Sequence, residues 1–153
     1  MDSYIKEEDD LSLGTYLCHC LVTRQMARFV TKIYQKHLGP AGLTAADVAI
    51  FDFLSRNENM TMTSLADAML MERTTLLRAI KPLQDNGFIE TTKDPASRRQ
   101  LFLALTAAGK EKKVEAEALW ALAQADYEAE VGRKRARQIR SELLETMGEV
   151  KAD

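Results

Sequence analysis

At Gly87 the spacing of apolar residues changes, and that change constrains the fold more than any other feature of the chain. Ahead of it, Leu76, Ala79, Ile80 and Leu83 recur at three- and four-residue intervals, the period of a helix with one buried face. Beyond it, Phe88-Ile89-Glu90-Thr91-Thr92 and Leu101 through Leu105 alternate in steps of two, the period of half-buried strands. Glycine tolerates the left-handed conformation that commonly ends a helix, so Gly87 marks the stop.

The segments before Gly87 read as four helices. From Leu11 to Leu38 there is no proline, and no glycine after Gly14. Leu13, Leu17, Cys20, Ala27, Val30 and Tyr34 mark one face, which predicts a single helix of roughly seven turns. Gly39-Pro40-Ala41-Gly42 ends it. Thr44, with Asp47 three residues on, predicts a capping box opening a helix that buries Val48, Phe51 and Leu54 and frays at Asn57-Glu58-Asn59. A third helix opens near Thr63-Ser64 and contains Leu65, Ala66 and Met69, and a fourth runs from about Arg73 to Asn86. Pro82 within it removes a donor to the Arg78 carbonyl and predicts a kink.

After the strands the pattern is helical again. Between the strands, Asp94-Pro95-Ala96-Ser97-Arg98-Arg99 reads as a loop rather than a two-residue turn. Thr106 caps a helix over residues 107–127 with Val114, Ala118, Leu122 and Ala125 on one face. Gly132 breaks it, and a last helix carries Ile139, Leu143 and Met147.

Composition narrows the function classes. The 153 residues are 46% apolar and 29% charged, which excludes wholesale disorder, a collagen-like fibre and a disulfide scaffold. The uninterrupted apolar run Leu101–Leu105 is far too short for a membrane span, and the acidic start Met1–Asp10 lacks the apolar core of a secretory signal. We therefore expect a cytoplasmic protein with reduced thiols and no membrane partner. The net charge of −2 hides an asymmetry. Residues 1–60 carry 6 basic and 8 acidic side chains, residues 61–110 carry 7 and 5, and residues 111–153 carry 8 and 10. A mildly basic centre between acidic arms suits a local anionic partner.

The element order makes a mainly α fold with a small β-hairpin, a winged helix-turn-helix flanked by further helices. On a wheel, the fourth helix turns Leu76, Ala79, Ile80 and Leu83 to the core. Thr74, Leu77, Arg78 and Lys81 lie opposite, with Arg73 and Thr75 on the rims. Arginine can bind guanine bidentately, threonine can reach phosphate or base edges, and leucine can meet a thymine methyl. An amphipathic helix with a solvated basic face is the plainer alternative. No catalytic assembly emerges: His19 and Cys18 are neighbours in a predicted helix and do not face one another. Cys18 and Cys20 would point about 200° apart there, so they form no metal site, and no cofactor is expected.

Three stretches carry a family resemblance: Thr63-Ser64-Leu65-Ala66-Asp67, Arg73-Thr74-Thr75-Leu76-Leu77-Arg78 and Leu83-Gln84-Asp85-Asn86-Gly87-Phe88-Ile89. Together with Arg98-Arg99 and Leu105-Thr106-Ala107-Ala108-Gly109, they resemble the winged-helix core of the MarR (multiple antibiotic resistance regulator) family. The resemblance implies a homodimeric transcription factor, usually a repressor, on a palindromic operator in double-stranded DNA. Beyond the acidic tail over 1–10, it implies a helical dimerisation domain from 11–43 and 107–153 and a DNA-binding domain over 44–106. The implied DNA contacts are Thr63, Ser64, Arg73, Thr74, Thr75, Leu77, Arg78, Lys81, Arg98 and Arg99. The basic run Arg133–Arg140 then becomes the solvated face of a dimerisation helix. One departure is Ser97, where the family's wing usually has an aspartate that orders the second arginine; Asp94 is the alternative partner for Arg99.

Two kinds of signal are weighed. The family generally holds small effectors, often aromatic carboxylates or phenols, between the dimerisation helices and the winged helix. Tyr16, His19, Met26, Phe29 and Phe51 are the candidate lining residues, each also readable as core or dimer packing. The alternative is thiol-based redox sensing by Cys18 or Cys20. Leu17-Cys18 resembles the organic-hydroperoxide-sensing branch, whereas spacing to Tyr34 and Thr44 selects Cys20. The tyrosines that hold the thiolate in that branch fall at Ala45 and Val48. A winged-helix interaction module without DNA binding is the third reading.

Overall fold

The computed structural model describes residues 11–148, and the tail and residues 149–153 lie outside the described part. Six α-helices and three strands follow one another: α1 (His19–Leu38), α2 (Ala45–Arg56), β1 (Met60–Thr61), α3 (Met62–Ala68), α4 (Arg73–Asp85), β2 (Ile89–Asp94), β3 (Ser97–Leu105), α5 (Ala107–Val131) and α6 (Arg133–Thr146). No single helix among them is long and apolar enough to cross a membrane.

The expected seven-turn helix is interrupted. Leu11–Leu17 forms a 3-10 stretch broken at Gly14 (φ 54°, ψ −119°), and Cys18 is extended, so α1 begins only at His19. Cys18 is the N-cap, its Sγ accepting the Leu21 N–H at 3.4 Å. Glycine's freedom at positive φ permits the break, and the sulfur satisfies an N–H that the first helical turn leaves without a partner.

The cap expected at Thr44 forms: Thr44 N–H donates to Asp47 Oδ2 at 2.7 Å and Asp47 N–H to Thr44 Oγ1 at 3.2 Å. A second box opens α3, but from Thr61 and Ser64 rather than from Thr63-Ser64. Just before it, Met60 and Thr61 pair with Leu103 and Phe102. The hairpin is therefore a three-stranded antiparallel sheet in the order β1-β3-β2. The segment between β2 and β3 is shorter than expected. Asp94 pairs with Ser97, leaving Pro95-Ala96 as a two-residue turn, and Asp94 Oδ1 accepts the Ala96 N–H at 2.7 Å. That side-chain bond closes the turn locally.

One core joins the pieces. Leu38, Leu43, Ile50, Phe51, Leu65, Leu76 and Ile80 are fully enclosed. Phe51 meets the Phe88 ring edge-on at 6.3 Å between centroids. The inner face of α5 is a small-residue seam, Gly109, Ala116 and Ala123, whereas Val114, Ala118, Leu122 and Ala125 are exposed in the single chain. The sequence stripe on α5 thus faces away from its own core. Small residues on the inner seam let α1 and α2 approach closely. The Tyr34 hydroxyl donates to Gln124 Oε1, and His37 and Lys36 reach Asp126, tying α1 to α5.

Candidate nucleic-acid interface

The basic helix is built as the wheel suggests. Leu76, Ile80 and Leu83 anchor α4 in the core with Ala79 half-buried, while Arg73, Thr74, Thr75, Leu77, Arg78 and Lys81 are exposed. Pro82 sits in the last turn of a helix that continues to Asp85, and Gly87 follows at φ 74°. The turn between α3 and α4 is made by Leu70, which adopts φ 50° with its side chain 71% exposed.

The wing meets this helix across a groove of about 730 Å³, in which Thr63, Ser64, Arg73 and Leu77 face Arg99. The strand register explains how Arg99 comes there. Lys93 pairs with Leu101, yet the next residue, Asp94, pairs with Ser97, so residues 98–100 bulge out of the ladder. A bulge re-aims side chains and ends pairing. Arg99 is exposed, and among the described residues neither it nor Arg73 nor Arg78 makes an ion pair. The Arg98 side chain lies outside the described residues. Asp94 spends a carboxylate oxygen on Ala96 and makes no ion pair with Arg99. Lys81 is held by Asp85 at 2.7 and 2.9 Å, which already balances its charge.

Eight further residues line the same groove: Met62 and Asp67 of α3, Ser97 and Leu103 of β3, and beyond these Thr61, Thr91, Gln100 and Leu101. Of the last four, only Thr61 had a sequence signal, the Thr-x-x-Ser spacing of its capping box. The others reach the groove through strand pairing.

The candidates for effector and redox chemistry scatter. Phe51 is core, whereas Tyr16, His19 and Phe29 are exposed, and only Met26 lines a groove, the one between α1 and α6. The cleft between α1, α2 and α5, about 340 Å³, is lined instead by Tyr34, Val48, Asp52, Arg56, Lys113 and Trp120, among others. Burial raises the Tyr34 pKa, and the hydrogen bond from Arg56 to Asp52 at 2.9 Å raises that of the guanidinium. Cys20 is exposed rather than enclosed in a stripe, and Cys18 is the cap already described. No group of three or more His, Cys, Asp or Glu side chains among the described residues could hold a metal.

A recognition helix with free arginines, set against a bulged wing across an open groove, defines a winged helix-turn-helix of the DNA-binding class. The MarR family model matches residues 41–100. The Mycobacterium tuberculosis regulator MosR, solved in complex with DNA, is 30% identical over 85% of this chain and 96% of its own, with a TM-score of 0.71. The chain belongs to the MarR family of DNA-binding transcription regulators. Two other DNA-bound regulators share the fold. The repressor CouR of Rhodococcus jostii is 21% identical over 90% of this chain and 97% of its own, TM-score 0.77. MepR from Staphylococcus aureus is 13% identical over 85% and 96%, TM-score 0.71. These relatives are regulators, not enzymes. No curated protein sequence matches the chain.

Proposed function

We propose that this protein is a homodimeric repressor that binds a palindromic operator and is released by a small-molecule effector. The observation that carries the reading is the pair of outward surfaces on one chain. Arg73, Leu77, Arg78 and Arg99 are exposed, three of them along the groove between α4 and the wing, and Val114, Ala118, Leu122 and Ala125 form an apolar row on α5 that its own core leaves exposed. Val114 is 67% and Leu122 55% exposed, a large apolar surface that a second copy would cover. In this reading 11–43 and 107–153 form the dimerisation domain and 44–106 the DNA-binding domain. Two such modules across a two-fold axis read two half-sites about one helical turn apart.

The effector cleft is the one between α1, α2 and α5, because it joins the dimerisation helices to the DNA-binding domain. A ligand there shifts the two recognition helices only through unequal affinity for the two arrangements. A structure of CouR with p-coumaroyl-CoA shows that a regulator of this fold takes an organic ligand. Sedimentation of the unmutated protein and of Leu122→Glu tests the dimer. The unmutated chain should sediment as a dimer, and the variant as a folded monomer with lost operator affinity. A monomeric unmutated protein that still binds the whole operator tightly would overturn the reading.

A second reading keeps the same fold with a thiol sensor, favoured by Cys18 at the N-cap of α1. Cys18 is free and exposed there, open to an oxidant. Peroxide should then abolish operator binding in the unmutated protein and not in Cys18→Ser/Cys20→Ser; equal responses would end it.

A further inference from the structure

Four of the chain's seven methionines, Met60, Met62, Met69 and Met71, bracket α3, the first helix of the helix-turn-helix. Met60 is buried in β1, opposite Leu103. Met62, Met69 and Met71 are half-buried and pack against the core from its rim. Met62 also lines the groove between α4 and the wing. With seven residues, α3 is too short to be stable alone, so packing is what holds it. The Met69 N–H donates to the Leu65 carbonyl at 3.0 Å, and the Met71 N–H to the Ala66 carbonyl at 2.9 Å. Between them stands Leu70 at φ 50°, a backbone state that persists only while its surroundings hold it.

A thioether on this rim is exposed enough to meet an oxidant and buried enough for the product to matter. Oxidation to the sulfoxide turns a flexible apolar side chain into a polar one and disrupts the packing around it. We propose that Met62, Met69 and Met71 are a modification site for hypohalous acids, whose oxidation unseats α3 and with it the recognition helix α4. In each step a thioether sulfur gives up two electrons and gains the oxygen of hypochlorous acid. The chlorine takes up those electrons and leaves as chloride, with release of a proton. Sulfoxide reductases return the thioether, so the modification is reversible. The site is separate from Cys18 and Cys20, which lie at the start of α1. Its effect on binding rests on the reading of α4 and the wing as the DNA surface.

The test uses full-length Cys18→Ser/Cys20→Ser, which removes the thiol route, as the parent. Its companion adds Met62→Leu/Met69→Leu/Met71→Leu, a swap of similar volume that keeps the core filled. Affinity for the duplex enriched from a random library, and the melting temperature, are followed through a hypochlorite titration while peptide mass spectrometry locates each sulfoxide. The parent should lose affinity several-fold and melt lower as the three sulfoxides appear, and sulfoxide reductases for both epimers should restore it. The leucine variant should stay nearly unchanged at the same dose. Met26 and Met147, on the groove between α1 and α6, are present in both proteins as internal controls. A loss that follows Met26 and Met147, persists in the leucine variant or resists the reductases would overturn the proposal. So would unchanged affinity and melting with all three methionines oxidised. Should the leucine variant not fold, the parent decides alone, by whether its loss tracks the three sulfoxides or the two controls. A parent that binds no duplex before treatment would count against the DNA-binding reading instead, and its melting would still test the methionines.

Discussion

A Cβ placed on Gly109 would stand 2.0 Å from the carbonyl oxygen of Phe88. The same carbonyl accepts the Thr106 N–H at 3.1 Å, and the Thr106 hydroxyl donates to the Gly87 carbonyl while accepting the Gly109 N–H at 3.0 Å. The Thr-x-x-Gly spacing thus clamps the first turn of α5 onto the end of the recognition helix. Gly109→Ala forces backbone apart and should cost about 1–3 kcal/mol or more, as overpacking does. Chemical denaturation measures it; an unchanged midpoint would mean that the clamp yields freely.

Leu70 makes the turn of the helix-turn-helix in a left-handed conformation that costs an L-residue about 1–2 kcal/mol. Its side chain is mostly exposed, so truncation forfeits little burial. Leu70→Gly should stabilise the fold, by up to about 1 kcal/mol after glycine's own entropic cost. A lowered melting temperature would show that the exposed leucine makes contacts beyond the single chain.

Arg78→Ala should weaken specific binding by about 1–3 kcal/mol and relax base preference at one position per half-site. Arg99→Ala should instead lower affinity across sequences and flatten its salt dependence by about one contact. Binding isotherms at several salt concentrations separate the two; a salt slope unchanged in Arg99→Ala removes the wing arginine from the phosphates.

Asp126 accepts a hydrogen bond from His37 Nε2 at 2.7 Å and another from Lys36 at 3.3 Å. These partners, His37 first, hold its carboxyl below the ordinary value of 3.8. The folded chain therefore binds this proton less tightly than the unfolded chain. The stabilisation is present above the unfolded value and is lost as pH falls through the lower folded one. Asp126→Asn should accordingly be the less stable protein at neutral pH, with the gap closing in acid. A gap of constant size from pH 7 to pH 2 would contradict this.

The elements that chain-local chemistry dictates were legible in the sequence: the Thr44–Asp47 box, the buried row Leu76-Ile80-Leu83, the stop at Gly87 and the Thr106 cap. The misses have a common cause. β1 is two residues long and has no period of its own; only its pairing with Leu103 and Phe102 makes it a strand. The turn at Pro95-Ala96 depends on the Asp94 carboxylate closing onto a backbone N–H. Gly14 carries no mark that it will adopt positive φ, so α1 reads too long. On α5 the large apolar residues drew the eye to Val114 and Leu122, whereas the inner seam is alanine because α1 and α2 pack close against it. The recognition-helix face was legible because one helix presents it, and the bulge that carries Arg99 was not, because it arises between two strands.

Selection of bound duplexes from a random library, with reduced protein at near-physiological salt, tests sequence-specific recognition by α4 and the wing most directly. The account predicts an enriched palindrome with half-site centres about 10 bp apart, and loss of one enriched base per half-site for Arg78→Ala. A folded, dimeric protein that enriches no sequence would contradict it.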